Sequence, residues 1–306
     1  MTDTSTLESG QQLPSMVSKV AQINPFKRWR KSIGGWCLNS WVIFIIFIIY
    51  APIVIVMGAS VDPGTLIESR AFLTFPPRGF SLQWYYEIHP RLWHSLWVSV
   101  SMAAISALFG LIIGVPAALG LIRSNWGGKI ILGTLFRAPL QIPFIVIGVA
   151  FLQSYHLVAD VLNINFVGSF TGLVLGHVFV AAPYVISSVG VQLQRFNPSL
   201  EEAALIHGAS RLRTFMRITL PVIMPGIYAG GLYAFLISFG DVTISLFLAG
   251  PDTTPFPVQV LHTIQQDFDP TVPAMSSLVC IGSLFVLLAV QRLVGLDVLL
   301  RGGGSG

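Results

Sequence analysis

Six apolar runs, each long enough to cross a lipid bilayer, constrain this chain more than any other feature. The first is WCLNSWVIFIIFIIYAPIVIVMGAS at 36–60, and the second is LWHSLWVSVSMAAISALFGLIIGVPAALGLI at 92–122. The others cover about 130–155, 168–193, 221–249 and 272–291. A transmembrane helix needs roughly 20 predominantly apolar residues. None of the runs alternates apolar with polar residues, so a membrane β-barrel is excluded. Each span has to be helical, because only a helix satisfies its own backbone in lipid. Pro52 marks a kink in the first run. The fold class is therefore all-α, a polytopic membrane protein with six transmembrane helices.

Only 10% of the 306 residues are charged and 54% are hydrophobic, whereas a soluble domain carries about 25% charge. A net charge of +4 would suit nucleic acid, but the basic residues border apolar spans, where membrane orientation accounts for them. The expected surroundings are a lipid bilayer, with no nucleic-acid partner. Cys37 and Cys280 both fall within runs and lack paired spacing, which argues against a disulfide framework or a metal knuckle.

Of the 17 Lys and Arg residues, only Arg70, Arg78 and Arg91 fall opposite the N-terminal side, and Arg137 lies inside the third run. The positive-inside rule then places both termini, and the segment between the fourth and fifth runs, in the cytoplasm. Residues 1–35 form a cytoplasmic N-terminal segment, in which the basic stretch INPFKRWRK (23–31) rests on the membrane surface. Residues 36–60 read as a retained signal anchor, 61–91 as an outer loop and 92–293 as the core. The tail GGGSG (302–306) reads as an appended linker. In the outer loop, Pro76, Pro77 and Gly79 impose an extended turn, while Trp84, Tyr85 and Tyr86 suit a membrane interface. A short interfacial helix is expected over 258–268, with Val260, Ile264 and Phe268 on one face.

The segment EEAALIHGASRLRTFMRITLPV (201–222) is polar where its neighbours are apolar. Asn197 or Ser199 can cap a helix whose first turn holds Glu201 and Glu202. Ala203, Ala204, Leu205 and Ile206 form a slim apolar face. Gly208 permits a bend, Ser210 caps a second piece carrying Arg211, Arg213 and Arg217, and Pro221 suits the first turn of the next span. A basic amphipathic helix lying on anionic lipid is the plain alternative. The acidic start and the slim Ala-Ala-to-Gly surface favour a knob that fits a groove on another protein.

This segment resembles the signature of ABC-importer permeases: Glu-Ala-Ala, three residues, Gly, nine residues, Ile, one residue, Leu-Pro. Here those positions are Glu202, Ala203, Ala204, Gly208, Ile218, Leu220 and Pro221. The resemblance implies a type I importer permease with a cytoplasmic coupling helix at 199–218, which docks on a separate ATPase subunit. Glu202, Ala203, Ala204, Gly208, Ala209, Arg211, Leu220 and Pro221 are its expected coupling residues. It also implies a second, related permease chain, two ATPase subunits and a periplasmic solute-binding protein, which makes 61–91 periplasmic. The setting is a bacterial inner membrane. No cofactor is expected on this chain, since ATP and Mg belong to the ATPases, and the chain itself is not an enzyme. SFGDVTISLFLAGP (238–251) and FPPRGFSLQWYY (75–86) are similar to the spermidine/putrescine-type branch with its PotC-like permeases. That similarity implies a polyamine or related organic cation. A secondary carrier, or a channel working without an ATPase, is the competing class.

Asp241 is the candidate pathway residue. It lies ~30 Å along the helix from Pro221, near the outer end. A carboxylate in a span needs a partner or a wet cavity. Asp252, Asp267 and Asp269 add negative charge on the outer side. Arg137, about seven residues into the third run, is expected to snorkel to the cytoplasmic face. His177 has no carboxylate at neighbouring positions of its own helix and reads as a packed histidine. Gly110/Gly114, Gly172/Gly176 and Gly226/Gly230 are GxxxG pairs suited to close packing, one of them available for a second permease chain. NWGGKI (125–130) lacks the first Gly and the Ser or Thr of a phosphate loop.

Overall fold

The computed structural model describes residues 25–67, 70–72, 75–124, 127–266 and 269–294. Residues 1–24, Asn125, Trp126, Asp267, Phe268, Arg301 and the 302–306 tail lie outside the described residues. Among those described, six helices are long and apolar enough to cross a membrane. Two compact units divide the chain, residues 1–56 and residues 57–306. The first holds most of helix α1 (Pro25–Ser60). That helix begins well before the first apolar run, so the basic stretch from Pro25 is helical and continuous with the span.

In the second unit the segment 61–91 carries a hairpin of two three-residue strands, β1 (Thr65–Ile67) against β2 (Arg70–Phe72), antiparallel with Leu66 opposite Ala71. This small addition to an all-α fold is followed by a single turn, α2 (Gln83–Tyr86). Trp84 and Tyr85 are half-buried here. The Trp84 indole donates to the Asp62 carbonyl, and the Tyr85 hydroxyl lies 2.7 Å from both Ser60 Oγ and Ser277 Oγ. Tyr86 is exposed.

The core spans are α3 (Pro90–Arg123), α5 (Phe144–Leu162), α6 (Phe170–Arg195), α9 (Leu220–Gly240) and α12 (Thr271–Val294). The central one is α6. Of its most apolar window 56% is buried, against 28% in α3, 22% in Arg211–Gly240 and 17% in α5. Small residues let its neighbours close in. A Cβ built on Gly114 would come within 2.7 Å of Val185, and one on Gly230 within 2.9 Å of the Val185 Cα. Gly172 and Gly176 sit against Tyr155 and Ile244. All three GxxxG pairs are thus spent on contacts within the chain, not kept for another one.

Two runs that read as single spans are interrupted. The third breaks into α4 (Lys129–Arg137), a 3-10 turn (Ala138–Leu140) and α5. Pro139 and Pro143 cause the break, since proline blocks the ladder and biases its predecessor away from helix. Arg137 therefore ends a short helix ahead of the span and is exposed; it does not snorkel from within. The fifth run stops at Gly240, and a separate α10 (Thr243–Leu248) follows. The expected outer helix is α11 (Phe256–Gln266). Its Val260 packs towards Ile88, Leu92 and Met275, whereas Ile264 is exposed.

Candidate functional site

The polar segment between α6 and α9 folds as α7 (Ser199–Ile206), α8 (Arg211–Thr214) and a π-turn (Phe215–Thr219). Asn197 opens it: its Oδ1 accepts from the Ser199 backbone N–H at 3.1 Å and from the Ser199 hydroxyl at 2.8 Å. Glu201 and Glu202 occupy the first turn, where the helix dipole favours negative charge. The helix ends in a paired set of bonds, Ala209 N–H to the Ala204 carbonyl and Gly208 N–H to the Leu205 carbonyl, both 3.0 Å. This is the Schellman arrangement, which needs a left-handed residue at the stop. Gly208 supplies it with φ +82°. A Cβ at Gly208 would meet nothing within 4 Å, so backbone conformation, not crowding, selects the glycine. Ser210 then caps α8 by accepting from Arg213 N–H at 3.3 Å.

The result is an exposed elbow. No residue of α7 is buried. Glu202, Ala203, Gly208 and Arg211 are exposed, and Ala204 and Ala209 are half-buried. Ile206 is 84% exposed and Leu212 73% exposed, so the elbow presents apolar side chains between charges. Leu220 and Pro221 begin α9, with the proline in its first turn as expected.

One residue of the elbow turns inward. Glu201 Oε1 pairs with Arg123 Nη2 at 2.5 Å, and the Thr219 hydroxyl donates to the same oxygen. Arg123 closes the last turn of α3, and its guanidinium carbon lies 5.9 Å from the Phe196 ring centroid. Sequence reading chose Glu202 and passed over Glu201, because its partners are 78 and 18 residues away.

The second polar site is enclosed, at the other end of α9. Asp241 is 7% exposed and His177 1%. Asp241 Oδ2 lies 3.4 Å from His177 Nε2 and accepts from the Ser245 N–H at 3.0 Å, capping α10. His177 Nδ1 lies 2.8 Å from the Leu173 carbonyl, which can only accept, so that nitrogen carries a proton. Nε2 then faces Ser245 Oγ at 3.3 Å and Asp241. His177 is packed, as its sequence context suggested, but its carboxylate comes from the next span and not from its own helix. Asp252 is exposed, and Asp269 caps the start of α12 by accepting from Thr271 N–H at 2.8 Å.

A cavity of about 710 Å³ lies beside the ends of α3 and α6, lined by Leu121, Ile122, Lys129, Arg137, Gln141 and Gln194 among others. Two cations and no carboxylate line it. Its charge disfavours a cationic occupant.

Residues 106–296 match the family described as the binding-protein-dependent transport system inner membrane component. The chain is 29% identical over 248 residues to the putrescine transport system permease protein PotI of Escherichia coli (strain K12), covering 79% of this chain and 86% of that one. It is 27% identical over 261 residues to the spermidine/putrescine transport system permease protein PotC of the same strain, covering 85% and 94%. Its fold is similar to that of a bacterial ABC transporter involved in the import of the acidic polysaccharide alginate. The TM-score there is 0.67 at 18% identity, covering 86% of this chain and 97% of that one.

Proposed function

The chain belongs to the family of binding-protein-dependent transport system inner membrane components, and from that premise we propose that it forms half of the solute pathway of an ATP-driven importer. It is a multi-pass membrane protein with the type I importer permease fold. In this reading ATP and Mg bind two separate ATPase subunits, and the chain hydrolyses nothing itself. A related, non-identical permease supplies the other half of the pathway, and a periplasmic binding protein delivers solute to the outer loops. Both termini face the cytoplasm of a bacterium.

The observation that carries the reading is the exposed elbow of α7 and α8, stopped at Gly208. Apolar Leu205, Ile206 and Leu212 stand out beside Glu202, Arg211 and Arg213. A short helix presenting apolar anchors with a polar rim is the form of a helix that docks in a protein groove. Glu202, Ala203, Ala204, Gly208, Ala209 and Arg211 form the docking face, and Leu220-Pro221 start the span that receives the motion.

The solute is a polyamine or a related organic cation, by likeness to relatives named for putrescine and spermidine. Asp241 does not offer its carboxylate to open space, and the cavity beside the ends of α3 and α6 is lined by the cationic side chains of Lys129 and Arg137. We therefore assign cation selection chiefly to the binding protein and the partner permease, and give Asp241 the task of ordering the outer end of α9.

The test is a pull-down of the detergent-solubilised chain, wild type beside Gly208→Asp, with co-purifying proteins assayed for ATP hydrolysis. Wild type should retain an ATPase and the variant should lose most of it. A folded wild-type chain that transports alone on an ion gradient, with no ATPase bound, would replace this reading with a secondary carrier.

A further inference from the structure

We propose that Glu201, the residue before the Glu-Ala-Ala signature, is a positioning residue that ties the elbow to the cytoplasmic ends of α3 and α9, so that displacement of α7 reaches both spans together. The proposal rests on the importer reading above and adds to it how the motion leaves the docking helix.

Three observations carry it. First, no residue of α7 is fully buried, so packing holds it to the bundle only weakly. Second, a single oxygen, Glu201 Oε1, takes both Arg123 Nη2 at the end of α3 and the Thr219 hydroxyl below α9. Third, both donors are preset. Arg123 lies over Phe196, at the end of α6. Thr219 is fully buried in a π-turn, a local underwinding that recurs at functional sites in helices. Adjacent residues on a helix point about 100° apart. Glu202 thus faces outward on the docking side while Glu201 faces the bundle.

The link is suited to transmission more than to stability. Arg123 and Glu201 side chains are 38% and 22% exposed, and ion pairs reached by water stabilise a fold weakly. Their removal should leave the chain folded and able to recruit ATPases, yet interrupt what passes from α7 to the spans.

Hydrogen–deuterium exchange of the assembled transporter, with and without ATP-Mg and vanadate, reads this directly and needs no solute. In wild type, nucleotide should alter exchange in 199–214 and also at the ends of α3 and α9. In Glu201→Ala and Arg123→Glu, the response should persist in 199–214. At the span ends it should fall by about fivefold or more, the low end of usual inter-site coupling. The charge swap Arg123→Glu with Glu201→Arg should restore most of it. A span-end response equal to wild type in the single variants overturns the proposal, as does a swap no better than the worse single variant. Where Arg123→Glu does not fold, Thr219→Val takes its place, with an intermediate loss expected and an undiminished response counting against the proposal. Failure of the wild-type chain to recruit any ATPase overturns both readings. Recruitment with undiminished transmission overturns this one alone.

Discussion

Each end of α9 is closed by a carboxylate held against a basic side chain from another span, and the two closures differ in how much water reaches them. At the end beside the elbow Glu201 meets Arg123, with side chains 22% and 38% exposed. At the far end Asp241 meets His177, with side chains 3% and 2% exposed. Water screens the attraction in the first case, and in the second desolvation makes any polar group left without a partner costly. The exposed closure can be made and broken at little cost, as a moving joint requires. The enclosed one is a fixed attachment.

The largest effect should therefore come from the enclosed end. His177→Ala leaves Asp241 buried with the Ser245 N–H as its remaining partner here, and a buried polar group that loses a partner costs about 1–3 kcal/mol, more when charged. Thermal unfolding in detergent should show a clear fall, and a variant as stable as wild type would remove the distinction between the two ends. Asp241→Asn keeps an acceptor for Ser245 N–H and should cost less than Asp241→Ala; equal losses would mean that capping α10 contributes nothing.

Gly208→Ala comes next. With nothing within 4 Å of a new Cβ and φ at +82°, the penalty is that of a left-handed alanine, about 1–2 kcal/mol. It should appear as fraying of α7, read by exchange in 199–206, with weaker ATPase capture but little change in global unfolding. The smallest effect on stability belongs to Glu201→Gln, under about 1 kcal/mol. The wild-type pair should weaken with added salt and the Gln variant should not. A large, salt-independent loss would make the elbow end a fixed attachment like the far one.

The sequence makes the spans legible because lipid demands long apolar runs, and the elbow legible because its glycine, caps and proline are local signals. Interruptions at Pro139, Pro143 and Gly240-Asp241 were also written locally, but unbroken hydropathy across them concealed the breaks. The two carboxylate closures could not be found that way. His177 and Asp241 lie on successive spans, and only the packing of α6 against α10 makes them neighbours. Arg123 is one of many basic residues on its side of the membrane, and nothing in its neighbourhood points 78 residues ahead to Glu201.

Val185 has a kinematic consequence. Backbone at Gly114 on α3 and Gly230 on α9 closes on this one residue of α6 from two sides, with no slack for a methyl group at either. Helices interlocked so tightly cannot slide past one another by a fraction of a turn. The three must travel as a slab, and any reshaping of the passage has to be borne by hinges at the slab's margins, among them the π-turn below α9 and the Pro139–Pro143 bend before α5.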